Sequence, residues 1–465
     1  MNRRKLLKVA GASAGALGLA GVGGRYLLLP PSPSRTLAGV DELAARLYAS
    51  LDDETRAAAC VPYDHPLRQY HNRGLWAGGL RVWRNLSWEQ RALVVDLFHA
   101  GLSAAGRERV PAQYFVRWPG VHLLSVLFCG EPARPPYAVH LTGPHLNLRL
   151  GGASREGAAF GGPQVYGDQR GNGRPGLPGN VYRYQLELGT RLFEALSPGE
   201  HERATYPEEP PQTQIELRGT RAEPPGLALA DASEGARQAA ARVVDGILEN
   251  YPREDADYAR DCLDAAGGVA SLSVSRYLRG EDGDAGPNQI FRLEGPNAVF
   301  HFRGHPHLHA FLNVGRDGDA PLSVGELLGE NPEPLEGAAV KALFEEVLRA
   351  ETGAQLAYYE ATSVVSRLRA GAIRSGDVYC LESWNDDVVT LELDVDALRP
   401  AMAAALERSG VTAGASGRVT VATSAYVADE LAAEKLGRVR AREAGRPLRE
   451  AAVDHLRRHG FERRG

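Results

Sequence analysis

The sequence predicts an α+β protein, with a sheet-rich amino-terminal domain carrying peripheral helices and a smaller α/β domain behind it. Three observations support this. Apolar residues alternate with period two through Val121–Phe128, Tyr137–Leu150 and Phe300–Phe311, which is the spacing of half-buried strands. They recur at helical spacing in Asp41–Leu51, Ser87–Leu102, Val181–Leu196 and Glu234–Asn250. Fifty-three glycines and 29 prolines in 465 residues punctuate the chain more often than a helical bundle would tolerate. With 43% hydrophobic and 24% charged residues the chain has the composition of a folded protein, and a net charge of -5 leaves no electrostatic footprint for nucleic acid.

The first 35 residues read as a signal and a tether. Arg3-Arg4-Lys5 precedes a mild Gly/Ala-rich apolar run to Gly24, which resembles a twin-arginine export signal. Pro30-Pro31-Ser32-Pro33-Ser34 follows as a stiff connector. A periplasmic or other extracytoplasmic location is expected, with a membrane tether through the amino terminus if the signal stays uncleaved. Cys60, Cys129, Cys262 and Cys380 are scattered without Cys-x-x-Cys spacing, so neither a disulfide scaffold nor a cysteine-type zinc site is indicated.

Residues 36–330 form the expected first domain. Ser87 and Gln90 make a capping box that opens its second helix. Gly143-Pro144 breaks or bulges the strand Tyr137–Leu150, after which His145, Asn147 and Arg149 share one face. Gly151–Gly179 reads as one long loop, rich in Gly, Pro, Arg and Asp. Gln289–Leu293 resumes the strand pattern and leads into the densest chemistry of the chain. There His301, His305, His307 and His309 crowd nine positions, and with His140 and His145 they make up six of the thirteen histidines. A hairpin with Gly304-His305-Pro306 as its loop sets His301 opposite His309 and Arg303 opposite His307, all on one side. Neutral imidazoles converging on one ion, with nitrogens roughly 3 to 4 Å apart, would hold copper or zinc. His145, His307 and His309 are the expected ligands, with His301 or His140 as a further one, and Arg303, Asn147 and Arg316 are candidates for orienting a substrate. The alternative is a polar strand face hydrogen-bonded to loops.

In order along the chain, these elements resemble a family known as domain-of-unknown-function family 3500, from about Ser87 to Asp319. The resemblance rests on Gly101-Leu102-Ser103-Ala104-Ala105-Gly106, Phe128-Cys129-Gly130-Glu131-Pro132, Gly143-Pro144-His145-Leu146-Asn147-Leu148, Gly295-Pro296, His307-Leu308-His309 and Arg316-Asp317. Pro144 replaces a family histidine, and His301 replaces a family acid. The family has no agreed activity, so the resemblance implies joint importance of His145, His307 and His309 without naming a reaction.

Pro332–Gly337 separates a second domain, 338–465, that opens with a helical run to Ala350. Gly371-Ala372-Ile373 reads as a turn, and Ala370-Gly371-Ala372-Ile373-Arg374-Ser375-Gly376-Asp377-Val378-Tyr379 is similar to a motif of the 5'-nucleotidase carboxy-terminal domain, a likeness that runs over about Val340 to Val427. Where that family places its substrate-holding arginine this chain has Val365, and only the aromatic at Trp384 recurs, so 5'-nucleotidase activity is not expected. Leu398–Leu406 reads as a helix, and Ala428–Arg464 as a solvated helix of mixed charge. Two functions stay open: a metal-dependent enzyme acting on a small molecule or peptide, or a non-catalytic exported binding or accessory protein with structural histidines.

Overall fold

The computed structural model describes residues 33–461, apart from 35, 72–77, 114–115, 117–119, 152–156, 175, 221–222, 281–282, 287, 319–322, 383–385, 398–416 and 434–440. The expected export signal, Trp384 and the expected helix Leu398–Leu406 lie outside the described residues. The chain is α+β and divides into two compact units at Val324/Gly325. That division precedes the expected one at 330, because Leu327–Asn331 pairs with a strand of the second unit.

The first unit is built on a thirteen-stranded sheet. Its long strands are β1 (Ser125–Glu131), β2 (Arg134–Gly143), β3 (Leu146–Leu150), β4 (Gln164–Asp168), β5 (Ser273–Gly280), β6 (Ile290–Glu294), β7 (Ala298–Arg303) and β8 (Leu308–Val314). They lie in the order β1-β2-β3-β4-β8-β7-β6-β5, every neighbour antiparallel. Two antiparallel meanders of four strands therefore meet edge to edge at β4 and β8. Of the break or bulge expected at Gly143-Pro144 the structure has the break, which starts the turn between two strands. Two sequence expectations change here. The stretch 151–179 is not all loop, since β4 inside it is buried at every position. The register of β7 on β8 pairs Arg303 with His309 and His301 with Phe311, two residues from the expected one, because the connection runs from Gly304 to His307.

The two faces of this sheet differ. One presents Val126, Phe128, Val139, Leu141, Leu148, Tyr166, Phe300, Phe302, Leu308 and Leu312 to a core completed by helices α1 (Val40–Ala49), α2 (Trp88–Ala100), α3 (Arg183–Glu194), α4 (Glu234–Leu248) and α5 (Arg253–Ala265). The expected capping box opens α2: Gln90 N donates to Ser87 Oγ and Ser87 N to Gln90 Oε1. The other face is covered by irregular chain and a short 3-10 turn, Pro66–Arg68. Val61, Tyr63 and Leu67 pack on Leu127, Cys129 and Ala138. Ile215 and Leu217 pack on Val165, Val299 and Phe311. Arg149 ties this cover down by donating to the carbonyls of Arg68, Gln69, Tyr70 and Pro163.

The second unit holds a two-stranded sheet, β9 (Leu327–Asn331) with β11 (Gly371–Arg374), and a four-stranded one in the order β10 (Leu356–Ala357), β13 (Arg418–Ser424), β12 (Asp387–Asp394), β14 (Ala441–Pro447). Helices α6 (Ala338–Thr352) and α7 (Leu448–His459) share its core. Gly371-Ala372-Ile373 is strand and not turn. The expected solvated terminal helix is interrupted by β14, and α7 buries Leu448, Ala452, Leu456 and an Arg449–Glu382 ion pair of 3.3 Å. All four cysteines are free thiols. No helix among the described residues is long and apolar enough to cross a membrane.

Buried histidines on the covered face make the first unit acid-sensitive. Burial, with Arg149 nearby, pulls His71 down to about 4, and it holds His140 and His301 well below the ordinary 6.5. Between the depressed folded value and 6.5 the unfolded chain binds more protons than the folded one, so stability is complete above pH 6.5 and is lost as pH falls. His71 alone should remove about 3 kcal/mol by pH 4. Urea melts between pH 7.5 and 4.5 should show stability falling from pH 6.5 downward, with a shallower slope in His71→Phe.

Candidate metal centre

Two turns on the same edge of the two meanders deliver the histidines. Gly143 pairs with Leu146, so Pro144 and His145 are a two-residue turn, with proline second and a positive φ third. His145 has φ 59, a left-handed conformation that costs a side chain of this kind on the order of 1 kcal/mol. The second turn, from Gly304 to His307, carries His307 at its end and His309 as the second residue of β8. Pairing of β4 with β8 sets Gly167 opposite His309, and Gly167 also stands beside His145. A Cβ at Gly167 would lie 3.0 Å from His145 Cδ2, 3.2 Å from His309 Cδ2 and 2.4 Å from the Leu308 carbonyl oxygen. The missing side chain is what lets the two rings close over β4.

Three Nε2 atoms converge above it. His145 Nε2 lies 3.0 Å from His307 Nε2, which lies 3.1 Å from His309 Nε2, and the ligand atoms of all three fall within 4.8 Å of one another. The outer nitrogens are fixed from behind. His309 Nδ1 is 2.6 Å from Gln212 Oε1, and His307 Nδ1 is 3.1 Å from Asn172 Oδ1. Amide oxygens only accept, so both Nδ1 atoms carry a proton, and in the neutral rings both Nε2 atoms present lone pairs. Burial, then the neighbouring His307, pulls His145 down to about 3, so its ring is neutral at pH 7. Lone pairs facing one another at this distance repel unless a cation lies among them. No acid belongs to the group among the described residues.

The other expected residues are placed differently. His301 shares the face but not the cluster: its Nδ1 accepts from Arg292 Nε at 3.1 Å, and its Nε2 lies 3.7 Å from Glu209. His140 is fully buried deeper in β2, opposite Arg149 on β3 and 3.5 Å from its Nη1. Arg303 is 1% exposed and holds Glu209 at 2.8 Å, so its charge is already matched. Arg316 is exposed and seven residues beyond His309, roughly 20 Å along the strand. Asn147 alone of the substrate candidates stays beside the cluster, two residues from His145 on the same face. Gly167, Gln212 and Asn172 have no motif that would mark them in the sequence. Asn172 reaches His307 because Asp168, accepting from Arg170 N and Val181 N, folds the loop after β4, and Gly173 N donates to Pro306 O.

The fold and cluster thus define an α+β protein with a three-histidine group that could hold a metal ion. The chain belongs to the family described as protein of unknown function (DUF3500), whose model matches residues 34–318. No curated protein matches it. Among solved structures, the crystal structure of a 5'-nucleotidase precursor from Thermus thermophilus is similar at 14% identity and a TM-score of 0.24, covering 40% of this chain. The match spans about half of that protein, 51%, and so weak a superposition supports no argument about activity.

Gly167→Ala should be the most damaging one-carbon change at this site. The added methyl cannot avoid the Leu308 carbonyl, so it should cost about 1–3 kcal/mol and spread His145 from His309. Denaturant melts, with metal uptake measured on the folded fraction, would show both effects.

Proposed function

We propose that this is an exported metal-dependent enzyme whose centre is copper or zinc bound by His145, His307 and His309. The observation that carries the reading is the set of inward-facing Nε2 lone pairs 3.0 and 3.1 Å apart, with their Nδ1 protons committed to Gln212 and Asn172. Bonds of 2.0–2.1 Å place two nitrogens about 2.9 Å apart at a right angle and about 3.4 Å apart at a tetrahedral one, so the spacing suits tetragonal copper or tetrahedral zinc after a small adjustment. Three neutral ligands leave the ion its full charge and an open position. A water bound there would be acidified towards neutrality, and a substrate carbonyl would be polarised. Asn147 is the residue best placed to orient a small-molecule or peptide substrate beside it.

A second reading, a metal-holding binding or accessory protein, is favoured by one observation. The nearest acids are engaged elsewhere, Glu209 by Arg303 and Asp168 by Arg170 at 2.9 Å, which leaves no evident general base at the cluster among the described residues.

Elemental analysis of protein supplemented with copper or zinc should find one equivalent of metal. His307→Ala/His309→Ala should lose it while keeping the far-ultraviolet circular dichroism, since the opposite faces of β7 and β8 hold the core. A wild-type protein that takes up no metal, or a double variant that retains it, removes the metal reading. A visible band with copper favours redox chemistry, and a colourless zinc protein favours hydrolysis or lyase chemistry.

A further inference from the structure

One buried polar side chain beside the cluster has no partner among the described residues. Asn147 is 1% exposed, and neither its amide nitrogen nor its amide oxygen makes a hydrogen bond. Its neighbours on the face are turned to other partners. Thr142, opposite it on β2, meets Ser125 Oγ through its own Oγ1 at 2.9 Å. Val165, opposite it on β4, is apolar and packs with Ile215, Leu217, Val299 and Phe311. Arg149 donates to the carbonyls of the covering segment. A buried amide with both ends unmatched is costly enough that native proteins almost always supply water or a ligand there.

We infer that Asn147 binds hydroxyl groups, either of solvent or of a polyol-type substrate. The chemistry selects this class. An anion would accept from Nδ2 but leave Oδ1 facing like charge, and a cation would do the reverse. Hydroxyls accept and donate, so a pair of them matches both ends of one amide without burying charge. Vicinal hydroxyls of a sugar or sugar alcohol present such a pair, as do two waters. Asn147 lies two residues from His145, roughly 6.7 Å between Cα atoms, so a diol held there would neighbour the cluster. That last step rests on the metal reading; the hydroxyl site itself does not.

Asn147→Leu gives the sign. If hydroxyl groups satisfy the amide, an isosteric apolar side chain strands them, and the variant should melt about 3–6 °C below wild type. A higher melting temperature would show an amide that was never satisfied and would overturn the inference. The source is read from the Asn147 side-chain amide resonances of selectively ¹⁵N-labelled protein. Cross-relaxation with water, displaced by millimolar erythritol in wild type, supports a substrate hydroxyl site. Cross-relaxation that erythritol leaves unchanged supports a solvent site and removes the substrate. Absence of both removes the hydroxyl site. Repeating the titration on His307→Ala/His309→Ala keeps the two readings apart, since erythritol binding in that variant leaves this inference standing whatever elemental analysis of the wild type says of the metal.

Discussion

The pairing of β4 with β8 is the constraint on which the candidate centre depends. Each meander could close its own hydrogen bonds, but only their junction brings a turn near residue 145 to a turn near residue 307. At that junction the ladder must run past Gly167, and the lack of a Cβ there removes the one atom that would hold the imidazoles apart. The geometry is thus set by backbone pairing first and by ring packing second. The left-handed backbone at His145 fits the same pattern: a strained residue is kept where its side chain serves the cluster, and neighbouring pairing overdetermines it.

The sheet's second face explains why the cluster stays polar without unravelling. A face covered by helices would have demanded apolar side chains, whereas irregular cover brings its own peptide groups and side chains within reach of buried charge. Glu209 and Gln212 come from one such segment. The first neutralises Arg303 and the second fixes the tautomer of His309. Behind them Arg292 bridges His301 and Glu294, the latter also paired with Arg218. Such buried pairs add little net stability, but removing one partner leaves an unmatched charge, so they restrict how the cover can move. His307 and His309 are therefore held from behind by amides, and the face beside them is tied by ion pairs.

Membership in DUF3500 fixes ancestry for residues 34–318 and leaves chemistry to the site. What the site offers is narrow: neutral nitrogen donors, neutral amide supports, and acids that are paired elsewhere. That set lacks the oxygen ligands that calcium and magnesium take.

The sequence by itself determined the fold class, the period-two strands, the helices α1 to α4 and α6 within a few residues, and the face shared by Asn147 with its histidine neighbours. These follow from local periodicity, which composition and spacing carry directly. It also marked His145, His307 and His309, because imidazoles are scarce and were crowded. Tertiary structure alone decided the rest. β4 was hidden because five residues containing a glycine, in a Gly/Pro-rich stretch, have too little pattern to stand out. The hairpin register depended on how many residues the turn consumes, and a shift of two preserves every face while changing every partner. In the sequence His301 and His140 stood as possible further ligands and Arg303 as a substrate-orienting group. They part from them because a buried polar group is claimed by whatever partner the fold brings closest: Arg292 and Arg149 are set opposite His301 and His140 by the register of neighbouring strands, and Glu209 arrives from a segment about ninety residues away.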